Sequence, residues 1–430
     1  MKCTTKFAAL FFVAFRYLFG KKHRGAHYLF GAAGGIALSL IPIMATLIVA
    51  DGMIRGITDR FLELGTGHIQ VRQIDFSSSE ALSIDIAAPV LADYPGVRGV
   101  WNEVDGIGIV LGTKGKTGAT IRAISPSFWK DKGSLLYLKT LSGEAALEDS
   151  GDVLLGTELA KKVGAETGKP LRIMSVRTLN DGRKVPRTMR FNVRGIVASG
   201  YHEIDSMWCL ISYEDGKRLL DGNDSEPYLI VKIDDPYKKV DEFAMTLTNS
   251  MQGFFYALTW KQVQPLQYSS YEQTRQILLF IMAFIVLIAA VNVSSAVSML
   301  VIERQRDIAV LKAFGTGQNG ITFIFLTGSL LTAISGGLTG TAAGLFFGSR
   351  INEIIRGLES FINFWTKLFG KNAIQILDPG FYLETIPIVI HWPTVGGIGI
   401  FTIFCAIAAS ALPACRAGKT KPVELLRKAP

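Results

Sequence analysis

The sequence predicts an α+β membrane protein in which four transmembrane helices carry a large mixed α/β extracytoplasmic domain between the first and the second. Three observations point there. Hydrophobic residues make up 49% of the 430 residues and charged residues only 19%, with a mean hydropathy of +0.31, more apolar than a soluble chain of this length. Residues 28–50, 277–302, 321–348 and 394–412 contain no Asp, Glu, Lys, Arg or His, and each approaches or exceeds the roughly 20 apolar residues that a bilayer crossing needs. Between the first and second of these, residues 51–276 read as β-branched runs broken by glycine and polar turns, which is the punctuation of strands.

Charge sets the orientation. Segments 1–27, 303–320 and 413–430 together hold fourteen basic and three acidic residues, whereas 51–276 holds 27 basic against 29 acidic and 349–393 four of each. The positive-inside rule therefore places both termini and the 303–320 loop in the cytoplasm. The net charge of +9 is then a topology signal rather than a nucleic-acid footprint. Spans without ionisable side chains also argue against a carrier driven by an ion gradient, which keeps such groups at membrane depth as relays.

Residues 1–27 read as an amphipathic helix in the inner interface, with Phe7, Leu10, Phe11, Ala14, Phe15 and Leu18 on one face. Arg16 and "KKHR" stand where a cleavage site needs small residues, so a removable leader is not expected. In 51–276 the stretches "HIQVRQ", "GIGIVLG", "GATIRAI", "LRIMSV" and "FNVRGIVAS" are expected strands, and "GTELAKKVG", "SYEDGKRLL" and "DEFAMTLTNSM" short helices. From about Tyr268 a helical pattern enters the 277–302 span without a break, a rod suited to passing movement between membrane and outer domain. Segment 349–393 opens with "INEIIRGLESFINFWTKLF", an expected interfacial helix, and ends in a hairpin-like "FYLETIPIVIHW".

Cysteine usage is uninformative about disulfides. Cys209 is alone in 51–276, Cys405 lies in a span, and Cys3 and Cys415 fall on the reducing side. Sites for chemistry are also missing. Gly115-Lys116-Thr117 and Gly418-Lys419-Thr420 end like a phosphate loop, but Val110 and Pro413 occupy the first-glycine positions. Gly315, Gly317 and Gly320 spell GxGxxG between two spans rather than after a strand, so they read as a turn. His202, Glu203 and Asp205 read as a turn between strands, and no histidine or cysteine spacing suits a metal. No nucleophile with a base stands at a suitable depth for a membrane-embedded enzyme, so no cofactor is expected on this chain.

Two features remain. Glycines 336, 340, 344 and 348 recur every fourth residue of the third span and bare one helix face, with Gly31 and Gly35 echoing them in the first. Such a face lets another helix, within the chain or from a second subunit, come close. Segment 303–320 contains "ERQRDIAVLKAFG", which as a helix puts Ile308, Leu311 and Phe314 on one side and Arg304, Arg306 and Lys312 largely elsewhere. Apolar residues ringed by charge in the cytoplasm suit a docking surface.

That stretch resembles the E-[KR]-x-R-[DE]-I-x-[VI]-L-K-A-x-G coupling segment of ABC transporter permeases of the MacB/FtsX superfamily. "LPACRAGKTKPVELLR" (412–427) is similar to their terminal segment. "LGTGHIQV", "VRGIVASGYHEIDSMWCLIS", "TWKQV" and "YLETIPIVIHW" resemble the LolC/LolE permeases of the lipoprotein-releasing system; Asp51-Gly52-Met53 and Val291-Asn292-Val293 depart from their usual pattern. The resemblance implies a bacterial inner-membrane complex. In it the chain pairs with a second permease copy or a paralogue and binds two copies of a separate ABC ATPase, which holds ATP and Mg. Glu303, Arg304, Arg306, Asp307, Leu311, Lys312, Phe314 and Gly315 would frame the coupling contact. The substrate would be an acylated lipoprotein passed from the membrane lipid to a periplasmic carrier, its acyl chains between the first two spans against Met44, Leu47, Ile48 and Met53 and against Ile277, Leu278 and Ile281. An alternative within the superfamily is a mechanotransmitter that moves an efflux partner or cell-wall hydrolase and carries nothing through the membrane.

Overall fold

A computed structural model describes residues 25–74, 84–147, 150–178, 183–221, 225–251, 254–368 and 385–419. The expected N-terminal interfacial helix and the end of the C-terminal segment lie outside them. The chain forms two compact units, one of Met1–Met53, Tyr271–Ile362 and Ile386–Pro430, the other of Ile54–Ser270 and Asn363–Thr385.

In chain order the helices are α1 (Gly25–Arg60), α2 (Ile84–Ala92), α3 (Lys132–Leu136), α4 (Thr157–Val163), α5 (His202–Met207), α6 (Tyr213–Leu220), α7 (Val240–Ser250), α8 (Trp260–Val263), α9 (Pro265–Glu303), α10 (Gln305–Ala313), α11 (Gln318–Ser349), α12 (Ile351–Leu368) and α13 (Trp392–Lys419). Four of them, α1, α9, α11 and α13, are long and apolar enough to cross a membrane. All four outrun the apolar stretches read from the sequence, because a helix does not end where hydropathy falls. The expected hairpin before the last span is absent from its described part, since residues 385–391 form no strand. Pro387 removes one ladder donor there.

The other unit is built on one ten-stranded sheet of β1 (Ile69–Gln73), β2 (Val97–Leu111), β3 (Lys116–Ile124), β4 (Lys139–Gly143), β5 (Asp152–Gly156), β6 (Pro170–Thr178), β7 (Lys184–Ala198), β8 (Trp208–Ser212), β9 (Tyr228–Ile233) and β10 (Phe255–Thr259). The order is β10-β1-β9-β2-β3-β8-β5-β7-β4, with β6 bridging β2 and β7. Pairs β3/β8 and β5/β7 are parallel and the other pairs antiparallel. The five expected strands fall on β1, β2, β3, β6 and β7, and the three expected helices on α4, α6 and α7. Gly115-Lys116-Thr117 sits at the β2–β3 connection, where the Gly112 N–H donates to Gly115 O at 2.9 Å, so this is a hairpin turn and not a phosphate cradle. His202 to Asp205 form the start of helix α5 rather than a turn, and Asp205 accepts the Ser199 N–H at 2.7 Å. Two apolar clusters fill this unit, one around Trp101, Phe128 and Trp208 and the other around Ile121, Phe191 and Ile211.

Candidate functional site

Helix α10 is the short helix expected within 303–320. Its end is built by Gly315, whose φ of +88° favours glycine. The Gly315 N–H donates to Lys312 O and the Thr316 N–H to Leu311 O, a Schellman ending. Glu303 closes α9 just before it, and Arg304 is buried and paired with Asp307 at 3.2 Å. Burial pushes the Asp307 carboxyl up from its usual range. Lys312 Nζ donates to Gly418 O in α13 at 2.7 Å, and Thr322 Oγ1 to Ala414 O at 3.3 Å, so α10, α11 and α13 meet here.

The apolar side expected on α10 divides in two. Ile308 is buried and Leu311 half-buried against the core of this unit, whereas Phe314 is 84% and Val310 49% exposed. Phe314, the cap residue, follows Arg306 and Val310 at four-residue spacing on the outward face. The exposed surface is therefore Glu303, Arg306, Val310 and Phe314, while Leu311, Arg304 and Lys312 hold the helix in place.

The glycine ladder has a partner within the chain. A Cβ at Gly336 would lie 2.6 Å from Ala33 O, at Gly340 2.7 Å from Ala37 Cα, at Gly344 2.6 Å from Met44 Cβ and at Gly348 2.5 Å from Ile48 Cδ1. Contacts advance together along both helices, so α1 and α11 run parallel, as first and third crossings must. Gly31 and Gly35 have nothing within reach and take no part.

This packing corrects the expected acyl-chain site. Met44, Leu47 and Ile48 are buried at 0%, 3% and 2% exposure, and the missing glycine side chains let α11 cover Met44 and Ile48. Ile277 and Ile281 remain exposed on α9 beside Phe280 and Phe284, while Leu278 packs partly inward and Met53 is half-buried. A separate apolar cavity of about 250 Å³ opens between α9 and α13, lined by Leu279, Met282, Ala283 and Val286 on one side and Thr394, Gly397, Ile398 and Phe401 on the other.

Comparison with known proteins decides the family. The MacB-like periplasmic core domain matches residues 29–248, about half of the chain, and the FtsX-like permease C-terminal family matches 279–422. The chain belongs to the FtsX-like permeases with a MacB-like core. Among curated proteins this permease is similar to the lipoprotein-releasing system transmembrane protein LolC of Xylella fastidiosa, 26% identical across 96% of this chain and 98% of that one. It is 24% identical to LolC of Neisseria meningitidis over the same shares, and 21% identical to LolE of Haemophilus influenzae across 97% and 98%. The solved periplasmic region of MacB from Actinobacillus actinomycetemcomitans aligns at 17% identity over 48% of this chain and 94% of that one, with a TM-score of 0.32, a likeness too slight to argue from. With four apolar helices, this is a multi-pass inner-membrane protein.

Charged residues inside the permease's sheet unit escaped sequence reasoning. After α1 the chain makes a π-helical turn, Phe61–Gly65, whose last carbonyls find buried cations. Lys232 Nζ donates to Glu63 O at 2.8 Å, and Arg122 donates to Leu64 O and, at 3.0 Å, to Gly65 O. Arg122 is also clamped by Glu103 through two bonds, while Lys232 meets the Glu63 carboxylate and Asp131. His68 joins by accepting the Ile233 N–H at 3.0 Å and facing Glu63 at 3.2 Å. Burial draws the His68 imidazole below its ordinary value, with Lys232 and Arg98 adding to the effect against Glu63. The available signal was a lone Arg in "GATIRAI" and a lone Lys in "YLIVKI", charges in otherwise apolar strand runs.

Proposed function

We propose that this permease is the membrane subunit of an ATP-driven ABC complex that releases acylated lipoproteins from the inner membrane and passes them to a soluble periplasmic carrier. The nearly end-to-end match to proteins named for lipoprotein release carries the reading. ATP and Mg would sit on a separate ATPase, present in two copies, and a second permease copy or paralogue would complete the complex. A relative named macrolide export ATP-binding/permease protein MacB, from Bdellovibrio bacteriovorus, matches 91% of this chain over only 58% of its own length. Both termini and α10 face the cytoplasm in this reading, on the strength of their basic residues.

The exposed row Arg306, Val310 and Phe314 would enter the ATPase, Phe314 as the aromatic anchor. Acyl chains would lie on the α9 face at Ile277 and Ile281 and reach toward the cavity shared with α13. Phe314→Asp should lower co-purification of the ATPase by about tenfold or more while leaving the melting temperature unchanged; wild-type association would remove α10 as the docking element. Depletion of the permease should leave lipoproteins in the inner membrane on fractionation. An unchanged distribution would favour the mechanotransmitter reading.

A further inference from the structure

Asp51 follows the apolar stretch 28–50 directly, and Arg275 stands two residues before the stretch 277–302. Both lie in the helical unit, where α1 and α9 bring Arg275 Nε to 3.4 Å from Asp51 Oδ1. The pairing is incomplete. The Asp51 side chain is only 5% exposed, and neither its Oδ2 nor the buried Arg275 Nε makes a hydrogen bond among the described residues. A buried acceptor and a buried donor left unmade side by side are costly, and an ordinary interhelical ion pair would satisfy both.

The surroundings are built rather than incidental. A Cβ on Gly52 would stand 2.0 Å from Pro387 O, so the backbone before α13 rests directly on α1 beside Asp51. Asn352 of α12 fixes that backbone at two points, accepting the Ile386 N–H at 3.1 Å and donating to Ile386 O at 2.9 Å. The same segment brings His391 close enough to act on the Asp51 carboxylate.

Position and chemistry together define a ligand. The pair marks the end of two apolar stretches, the level at which phospholipid head groups lie. Its open valences are one acceptor on an anion and one donor on a cation, which complements a zwitterion whose ammonium carries N–H groups and whose phosphate accepts. We propose that Asp51 and Arg275 form a binding site for the phosphoethanolamine head of a membrane lipid, with the ammonium donating to Asp51 Oδ2 and the phosphate accepting from Arg275. Phosphocholine fails because its quaternary nitrogen has no N–H, and phosphoglycerol because it has no cation.

The test is lipid retention by the purified full-length protein, read by native mass spectrometry. The lipids are phosphatidylethanolamine, its N-methylated series up to phosphatidylcholine, and phosphatidylglycerol, all with the same acyl chains. Wild-type protein should retain phosphatidylethanolamine about tenfold better than phosphatidylcholine or phosphatidylglycerol, as expected for a lost charge-assisted hydrogen bond. Asp51→Ala and Arg275→Gln should abolish the preference. Equal retention of phosphatidylethanolamine and phosphatidylcholine by the wild type would overturn the proposal whether or not the variants fold, and so would a preference that survives in Asp51→Ala.

Discussion

In the sheet unit, two full positive charges, Arg122 and Lys232, sit within the packing and are matched by carboxylates and carbonyls on every side. In the helical unit, the corresponding contact between α1 and α11 is made by close backbone approach; four glycines receive Ala33, Ala37, Met44 and Ile48. The difference follows from the solvent. In water, burying a charge is tolerable only when its partners are exact, so such a network fixes one arrangement of strands and turn. In lipid, apolar side chains gain little by leaving the solvent, and close backbone approach supplies the association.

Removing one member of the network should have the largest effect. Lys232→Met leaves the Glu63 and Asp131 carboxylates with Arg98 as their remaining cation and should cost up to about 3–5 kcal/mol, measured as loss of thermal stability. Adding Glu63→Gln should restore part of that, and additive losses would show that the two do not act as a pair. Next is the glycine contact. Gly340→Leu should cost about 1–3 kcal/mol by overpacking, whereas Gly31→Ala, where no atom lies within reach, should stay within about 0.5 kcal/mol. Equal effects at both positions would dissolve the contrast between the units.

Smaller still is a pH effect confined to the sheet unit. His68 has its pKa lowered in the folded state, so the unfolded chain takes up the proton more readily. The stability this gives is complete above the ordinary imidazole value, about 6.5, and is lost as pH falls below it, with a slope of at most about 1.4 kcal/mol per pH unit. His68→Gln should flatten the melting temperature between about pH 5 and 7; an unchanged slope would assign the dependence elsewhere.

These contrasts also explain what could be read from the sequence. The spans, α10 and the glycine ladder were legible because each is a local pattern, of hydropathy, amphipathicity or spacing. What each pattern faces is not local. Nothing in the order of residues says that Gly344 meets Met44, so Met44 and Ile48 looked available to a lipid chain while α11 covers them. Leu311 and Phe314 border one apolar side of an ideal helix, yet only Leu311 packs inward, because how much of that side the core covers is not written in the helix itself. Arg122 and Lys232 belong to strands far apart in the chain, and only the strand order brings both to the turn after α1.

Cys415 is exposed on the last turns of α13, close in sequence to the Ala414 and Gly418 carbonyls that tether α11 and α10, while Cys209 and Cys405 are buried. Burial also pushes the Cys209 thiol well up, which makes it inert to alkylation. Once Cys3 is replaced by serine, a maleimide dye or nitroxide should therefore attach at a single native position beside α10, giving a spectroscopic reporter of whatever arrives there.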